Sequence, residues 1–402
     1  YMTPWLSIVG VGADGIAALP GPARTLIDNA EVLIGGDRHL AMVAASHPAQ
    51  RHGWATPISR TVEQMRSFEG RRVVVLATGD PMSYGIGVTL ARAFGRDAIT
   101  VLPVPGAFSL AAARLGWPLH DIDCLTLHGR PLALLNLHIR PGARLLILSQ
   151  DGDTPAAVAA ALCERGYAPS TIAVLENMGA ANETLRGGVA KDWDERAIAD
   201  LNTVAVTCKA GDDAVVVSRA AGLPDDAFVH DGQLTKRVVR AATLAALAPQ
   251  PGENLWDVGA GCGSIAIEWM RLGGLASAIE RKAARRDLIA RNAAMLGAPM
   301  LDIVAGDAPD ALAGLDAPGA IFIGGGITAP GLAEACWARL PARGRLVANA
   351  VTLEGEAALQ ALGAQWGGSL TRIAVASAAS IGGSLRAWQP LRPVTQLVAM
   401  KP

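Results

Sequence analysis

The sequence predicts an α/β protein of two domains, each built around a largely parallel β-sheet. Short apolar runs alternate with helical stretches along the chain, which is the pattern of strands joined by crossover helices. The length of 402 residues corresponds to two or three domains at about 100–200 residues each. A strand that runs into a glycine-rich loop opens each half, at residues 9–15 and 258–263. These observations favour two domains of similar architecture.

The composition is that of a globular protein without a charge signature for nucleic acid. The 35 Lys and Arg residues balance 36 Asp and Glu residues, so we expect no nucleic-acid partner. Charged residues make up only 18% of the chain, which allows large cores, and five cysteines without a CxxC pair favour a reducing compartment. No apolar run reaches the length of a membrane span, and residues 1–5 lack the basic region of a signal peptide. We therefore expect a cytoplasmic protein with no membrane partner.

Apolar runs predict the strands of the first domain. They lie at residues 6–9, 32–34, 73–77, 99–102, 145–149, 172–175 and 204–207. A helix is predicted over 155–163, because Asp153 and Thr154 offer a cap and Pro155 suits the first turn.

Turn-forming residues then separate the two halves, since residues 209–213 and 222–226 are rich in Gly, Asp and Pro. An Ala-rich helix is predicted over about Thr235–Leu247, and a new strand begins at Asn254. We assign residues 1–210 to the first domain, 211–228 to a linker and 229–402 to the second domain.

The second domain reads as a doubly wound parallel sheet. Its strands are predicted at residues 254–258, 276–280, 301–304, 319–323, 344–349, 370–376 and 394–400. Helices are expected in the first five intervals between them. The last two strands are joined by the Gly-rich segment 380–384 without a helix, so we expect that pair to be antiparallel.

A ligand site is predicted at the carboxyl edge of this second sheet. Gly259, Gly261 and Gly263 follow the first strand, where the absence of a Cβ lets the backbone turn tightly and approach a ligand. Glu280 ends the second strand, where a carboxylate can accept both hydroxyls of a ribose, and Asp307 follows the third. Ligands of open α/β sheets bind in the crevice at that edge.

The first half contains a literal Gly-x-Gly-x-x-Gly at Gly10, Gly12 and Gly15, which raises the alternative of an NAD-dependent enzyme. Two features count against it. The second strand ends in Gly35 rather than in an acidic residue, and residues 19–22 contain two prolines that interrupt the helix that a pyrophosphate needs.

Motifs in both halves resemble known methyltransferase families. The Gly-x-Gly-x-Gly loop with Asp257 two residues before it resembles motif I of the Rossmann-like (class I) methyltransferases that use S-adenosylmethionine. In the first half, Gly79-Asp80-Pro81 with Tyr84-Gly85, then Pro105-Gly106, together with the opening Gly10-x-Gly12, resemble the two-lobed tetrapyrrole methylase family (class III). The fusion of both is similar to the decarboxylating corrin-precursor methyltransferases of cobalamin biosynthesis.

This resemblance implies the reaction. It implies two methyl transfers to precorrin-6B, at the bridge carbons C5 and C15, with loss of CO2 from the C12 acetate, giving precorrin-8X. The resemblance favours C5 for the first domain. It implies one S-adenosylmethionine per domain, leaving S-adenosylhomocysteine as product, and a small-molecule tetrapyrrole as substrate. A methyltransferase acting on another tetrapyrrole remains the alternative.

The resemblance and the glycine loops together nominate cofactor-binding residues. They are Gly10, Gly12, Gly79, Asp80, Pro105, Gly106, Thr235, Asp257, Gly259, Ala260, Gly261, Cys262, Gly263, Glu280, Asp307 and Ala308. Thr235 matches a cofactor-contacting threonine of the family, and a helix N-cap is its alternative role. Arg130, Lys236 and Arg240 are candidates for binding substrate carboxylates, with solvated surface charges as the alternative.

No catalytic group and no metal site is predicted. All seven histidines lie at or before His230, and Cys262 and Cys336 suit core packing. The segment 376–383 departs from the family pattern, because a more basic stretch is expected there, which leaves the substrate contacts of that edge open. The low charge fraction leaves apolar surface available, and we expect a homo-oligomer.

Overall fold

The computed structural model describes residues 4–194 and 197–402. Residues 1–3, on which the expectation about a signal peptide partly depends, lie outside the described residues. The chain divides into two compact units. The first unit runs to Leu132 and resumes with Ile139–Val215, and the second holds Ala133–His138 and Val216–Pro402. The division at 215/216 falls inside the segment assigned to a linker, whose extent stays a prediction.

The first unit contains two lobes, each with its own sheet. Its strands are β1 (Leu6–Val11), β2 (Val32–Ile34), β3 (Gln50–His52), β4 (Val73–Thr78), β5 (Ile99–Leu102), β6 (Asp123–Thr126), β7 (Arg144–Leu148), β8 (Thr171–Glu176), β9 (Thr184–Val189) and β10 (Asn202–Thr207). Its helices are α1 (Gly21–Asp28), α2 (Asp37–Leu40), α3 (Ile58–Arg66), α4 (Ile86–Phe94), α5 (Ala107–Leu115) and α6 (Thr154–Glu164).

The two sheets of the first unit differ in strand direction. The first has the order β3-β2-β4-β1-β5 and is parallel throughout. The second has the order β6-β7-β10-β8-β9, in which β10 runs antiparallel to both of its neighbours. The expectation of parallel sheets is therefore wrong for the second lobe, because β9 and β10 return to the sheet without a crossover α-helix.

Three strands of the first unit escaped prediction, and all three are edge strands. β3, β6 and β9 each end a sheet and pair with a single neighbour. β3 is made of Gln, Arg and His, and β9 is exposed or half-buried along its length. A strand that is covered on few sides does not need the continuous apolar run by which buried parallel strands are recognised.

Helix α6 occupies the predicted place, but its start is built differently. Asp153 at the N-cap makes no side-chain capping bond. The hydroxyl of Thr154 instead accepts hydrogen bonds from the backbone N–H groups of Gln150 and Asp151, at 3.1 and 3.2 Å. The loop before the helix is thus fixed by the threonine.

The second unit is a doubly wound α/β domain, as expected. Its helices are α7 (Arg237–Leu247), α8 (Ser264–Arg271), α9 (Ala283–Met295), α10 (Leu332–Arg339) and α11 (Leu353–Trp366). Its strands are β11 (Asn254–Val258), β12 (Leu275–Glu280), β13 (Asp302–Ala305), β14 (Ala320–Ile323), β15 (Arg345–Ala350), β16 (Ser369–Ile373), β17 (Ala376–Gly382), β18 (Leu385–Pro390) and β19 (Val394–Met400).

The main sheet of this unit has the order β13-β12-β11-β14-β15-β19-β16. β11 to β15 are parallel, and β19 runs antiparallel to both β15 and β16, which confirms the antiparallel final pair. Alternate residues of β11 serve two cores: Leu255 packs with Trp269 of α8 on one face, and Trp256 packs with Leu359 of α11 on the other. Burial on both faces explains why Leu255, Trp256 and Val258 are all apolar, although Asp257 lies between them.

The structure adds three details to the expectations for this unit. Helix α7 begins at Arg237 rather than at 235, so its N-cap is Lys236. The interval between β13 and β14 holds only a single 3-10 turn, Asp310–Leu312. The connection between the last two sheet strands contains the hairpin β17–β18, whose residues are almost all exposed and so lack an apolar signal. Among the helices of the described residues, none is long and apolar enough to cross a membrane.

Candidate active site

A cavity of about 790 Å³ opens at the carboxyl edge of the main sheet in the second unit. Its volume lies within the range of small-molecule sites, about 300–1,000 Å³. Of the residues nominated from the sequence, the following line it: Thr235, Lys236, Asp257, Gly259, Ala260, Gly261, Cys262, Glu280, Asp307 and Ala308. The sheet therefore brings together residues that are up to 73 positions apart, because parallel strands end at one edge.

The three glycines after β11 all have positive φ angles, but they serve different purposes. A Cβ on Gly259 would lie 3.1 Å from the backbone nitrogen of Gly325, so this glycine permits contact between two loops. A Cβ on Gly261 would point into open space, with only the Gln233 carbonyl oxygen near it, at 3.8 Å. A Cβ on Gly263 would lie 3.0 Å from Ile289, and Gly263 does not line the cavity. Gly263 therefore permits close packing against the helix that carries Ile289 rather than contact with a ligand.

Glu280 fixes the glycine loop to the end of β12. Its side chain is only 4% exposed. One carboxylate oxygen accepts a hydrogen bond from the Gly261 N–H at 3.0 Å, and the other accepts from the Lys282 N–H at 2.9 Å. Each oxygen keeps a lone pair for a further donor, so the carboxylate is held in place and can still accept hydroxyl groups of a ligand.

Asp257 is a buried carboxyl group with one unsatisfied oxygen. Oδ2 accepts a hydrogen bond from the Ala266 N–H at 3.0 Å, whereas Oδ1 has no partner within the described part of the chain. Burial raises the pKa of Asp257 to about 7, the Ala266 hydrogen bond opposes this rise, and the charge of Glu280 adds to it. A buried oxygen without a partner is costly, so a ligand donor at the cavity would stabilise it.

These features fit a nucleoside cofactor. Gly261 with its open space, the fixed acceptor Glu280 and Asp257, which has one unsatisfied buried oxygen, all line one cavity. Asp307 is exposed near the rim, with its carboxylate 4.0 Å from the Arg281 guanidinium. Burial raises the pKa of the Cys262 thiol, which stays protonated and packs in the core beneath the cavity.

Of the residues around the start of α7, two line the cavity and one does not. Thr235 and Lys236 line it, and Thr235 lies outside the helix, so the N-cap role does not apply to it. The expectation for Arg240 is wrong. Its side chain is fully buried, and Nε donates to Glu268 at 2.6 Å while further donors reach Asp225 and the carbonyl of Thr235. Arg240 therefore holds the Thr235 loop from inside the core.

Two further segments line the cavity, and neither was identified from the sequence as part of the site. Gly324, Gly325 and Gly326 follow β14 and face the first glycine loop. Asn349 of β15 lines the cavity with its amide held by a buried network: Nδ2 donates to Thr243 Oγ1 at 2.9 Å, and Oδ1 accepts from Gln396 at 3.0 Å. The glycine triplet after an apolar strand is a signal in the sequence from which the first segment could have been identified. The place of Asn349 depends on hydrogen bonds to residues that are distant in the chain.

In the first unit, three loops meet at the carboxyl edge of the parallel sheet. A Cβ on Gly10 would collide with the carbonyl oxygen of Gly79, and a Cβ on Gly79 would lie 3.0 Å from the Cα of Gly106. The Gly79 N–H donates to Val11 at 3.1 Å, and the Val104 N–H donates to Gly79 at 3.3 Å. The loops therefore touch through their main chains, which explains glycine at these positions.

The other nominated residues of the first unit lie on or beside these loops. Asp80 accepts a hydrogen bond from the Met82 N–H at 2.9 Å and so shapes its own turn. Pro105 is exposed beside Gly106, and Gly12 precedes a 3-10 turn at Ile16–Ala18 rather than a phosphate-binding helix. Arg130 lies with its guanidinium 5.5 Å from the centre of the Tyr84 ring. Its contact with a substrate stays a prediction.

No group of three or more His, Cys, Asp or Glu side chains that could hold a metal ion occurs within residues 4–194 and 197–402.

A two-lobed unit with converging glycine loops, followed by a doubly wound unit with a nucleoside-type cavity, defines the class of two-domain tetrapyrrole methyltransferases. The model of the tetrapyrrole (corrin/porphyrin) methylases matches residues 6–194, and that of the precorrin methyltransferase domain matches residues 226–401.

The chain is 47% identical to a precorrin-6Y C(5,15)-methyltransferase [decarboxylating] of Sinorhizobium sp, covering 98% of this chain and 96% of that one. A relative of the same name from Mycobacterium tuberculosis is 43% identical, covering 97% of this chain and 98% of its own. The solved C-terminal domain of a precorrin-6Y C5,15-methyltransferase from Rhodobacter capsulatus is 46% identical over 46% of this chain and all of that one, with a TM-score of 0.44. The chain belongs to the family of decarboxylating precorrin-6Y C(5,15)-methyltransferases, which confirms the resemblance.

The raised pKa of Asp257 predicts a pH-dependent stability of the second unit. Because the folded pKa of about 7 exceeds the ordinary value of 3.8, the folded state holds the extra proton between these values. The group's contribution to stability is full below pH 3.8 and falls as pH rises towards 7, by on the order of 2–4 kcal/mol. Asp257→Asn should remove this decline.

Urea unfolding of the full chain at several pH values tests this, with pulsed labelling of the buried Cys336 thiol reporting on the second unit. Variant and wild type are compared at equal pH, so that changes in labelling chemistry cancel. Asp302→Asn, at an exposed carboxylate outside the cavity, serves as the control. If the wild type and Asp257→Asn lose stability in parallel from pH 5 to 8, the assigned role of the Asp257 proton is wrong.

Proposed function

We propose that this protein transfers two methyl groups to precorrin-6B, at C5 and C15, and removes CO2 from its C12 acetate, giving precorrin-8X in cobalamin biosynthesis. The observation that carries the proposal is the 47% identity over 98% of the chain to a relative named for C(5,15)-methylation with decarboxylation. The cavity supports it, since its glycine loop, acceptor carboxylate and unsatisfied buried oxygen suit a nucleoside cofactor.

We propose one cofactor site in each domain. In the first, the site comprises Gly10, Gly12, Gly79, Asp80, Pro105 and Gly106. In the second, it comprises Thr235, Asp257, Gly259, Ala260, Gly261, Cys262, Glu280, Asp307 and Ala308. The domains are taken as residues 1–210 and 229–402, with C5 methylation assigned to the first and C15 methylation with decarboxylation to the second.

The methyl transfers require mainly that the cofactor and the macrocycle are held in the correct positions. S-adenosylmethionine supplies a methyl group that is already activated by a positively charged sulfur. The protein's contribution is then to hold the cofactor through Glu280 and Asp257 and to orient the macrocycle for in-line attack. In the decarboxylation, the bond to the acetate carboxylate breaks, its electron pair enters the conjugated ring and a proton completes the methyl group. The ring is the electron sink, so no side chain is required for that role.

Product mass tests the proposed reaction directly. Incubation of the full chain with precorrin-6B and S-adenosylmethionine should give a product that has gained two methyl groups and lost CO2. The same incubation without S-adenosylmethionine is the control. Cofactor turnover without a change in the mass of the tetrapyrrole would overturn the assigned substrate.

The proposal of two sites predicts two S-adenosylhomocysteine molecules bound per chain by calorimetry. Gly261→Ala should weaken one of them by about 10-fold or more, because the added methyl group enters the cavity, and leave the other unchanged.

Gly252→Ala is the matched control for this variant. Gly252 also has a positive φ and open space around its Cβ position, but it lies outside the cavity, so the backbone strain is similar and the site is untouched. A wild-type stoichiometry of one would rule out the second site. If Gly252→Ala weakens S-adenosylhomocysteine binding as much as Gly261→Ala does, Gly261 is required for folding only.

We also propose that the chain is a homo-oligomer, with the hairpin β17–β18 contacting a second copy. The hairpin exposes Ile381, Leu385 and Trp388, the last at 75%, and such apolar surface commonly marks an interface. Light scattering should give a mass above that of one chain, and Trp388→Glu should reduce it. Met300→Glu, at an exposed apolar residue outside the hairpin, should not. A monomeric wild type would contradict the proposal.

A further inference from the structure

The sheet order divides the cavity of the second unit into two halves. Glu280 ends β12 and Asp307 follows β13, and both strands lie on one side of β11 in the sheet. Asn349 of β15 lies on the other side of β11, where β15 pairs with β19 and β19 pairs with β16. If the nucleoside groups occupy the first half, as the proposed function has it, the second half is available for the substrate.

An apolar wall closes this second half at the base of the hairpin. Ile373 and Val375 approach it from the end of β16, and Leu391 and Val394 approach it from the start of β19. The Leu391 N–H donates to the Val375 carbonyl at 2.8 Å, which ties the two sides together. The result is a defined apolar surface of the kind against which a flat ring can pack.

The cations of the cavity differ in whether a carboxylate already neutralises them. Lys236 Nζ lies 3.6 Å from Asp225, and Arg285 Nε lies 2.8 Å from Asp231. The Arg281 guanidinium lies 4.0 Å from Asp307. The positive charge of these side chains is therefore compensated, at least in part, within the unit.

Arg392 is different. It lines the cavity next to the apolar wall and is exposed. Its side chain makes no ion pair or hydrogen bond with any residue in the described part of the chain. Its backbone is anchored on both sides, by the Leu391 hydrogen bond and by the start of β19 after Pro393. An arginine whose backbone is held and whose side chain has no partner, beside an apolar wall, is a ready site for an incoming carboxylate.

We propose that Arg392 binds a peripheral carboxylate of the tetrapyrrole while the apolar wall contacts the ring. This inference rests on the proposed function and adds a specificity-determining residue to it. It also supplies a cation at the edge where segment 376–383 lacks the basic stretch expected from the family pattern. Guanidinium and carboxylate can form two parallel hydrogen bonds, so the contact would orient the macrocycle as well as hold it.

The test varies the tetrapyrrole concentration at saturating S-adenosylmethionine and resolves the methylated products by mass. Arg392→Ala should raise KM for one of the two methyl additions by about 10- to 100-fold, leave kcat within about 2-fold, and leave S-adenosylhomocysteine binding unchanged. Arg392→Lys should recover part of the loss. Arg291→Ala is the matched control, since Arg291 is an exposed arginine of the same unit outside the cavity.

The outcomes separate this inference from the proposed function. If the wild type fails to methylate precorrin-6B, the proposed function fails, and the inference falls with it. If the wild type converts the substrate and Arg392→Ala matches Arg291→Ala, the function stands and the inference is wrong. A fall in kcat with KM unchanged would also overturn it, because Arg392 would then act in a step after binding.

Discussion

Close approach of main chains at the carboxyl edge of a sheet is the constraint on which the candidate site of each unit depends. In the second unit, Gly259 lies against the loop at Gly325, and Glu280 holds the Gly261 N–H from the neighbouring strand. A side chain at Gly259 would push the loops apart and displace the group that Glu280 fixes. The open space beside Gly261 therefore depends on the absence of a side chain at Gly259 and on the carboxylate of Glu280.

The first unit meets the same constraint with a different fold. Gly10, Gly79 and Gly106 come from three strand ends and touch through backbone atoms. Here the parallel sheet is one lobe of two, and the second lobe is mostly antiparallel. The two units are thus alike in how their glycine loops pack, and they differ in sheet topology. Because the topologies differ, the glycines of the two loops have different spacing.

The net charge of −1 gives the whole molecule no electrostatic attraction for a substrate that carries several carboxylates. Binding of such a substrate therefore depends on individual cations at the cavity. Arg240 is a cation that is not available for ligand binding, because Glu268 and Asp225 hold it inside the core. There it supports the Thr235 loop. Lys236, only four residues earlier, stays at the cavity. Lys236 is the N-cap residue and its side chain stays partly exposed, whereas Arg240 lies within α7 and its side chain is fully buried.

The sequence by itself determined the α/β class, the buried strands, both glycine loops and the residues Asp257 and Glu280, because buried strands require apolar runs and close backbone contact requires glycine. Edge strands such as β3, the exposed hairpin β17–β18 and the withdrawal of Arg240 were decided only by the tertiary structure. Exposure removes the apolar signal of an edge strand, and the partner of a buried charge, such as Glu268, is 28 residues distant in the chain. Local sequence carries no information on such pairs, so the ion pair and the network around Asn349 became visible only in the fold.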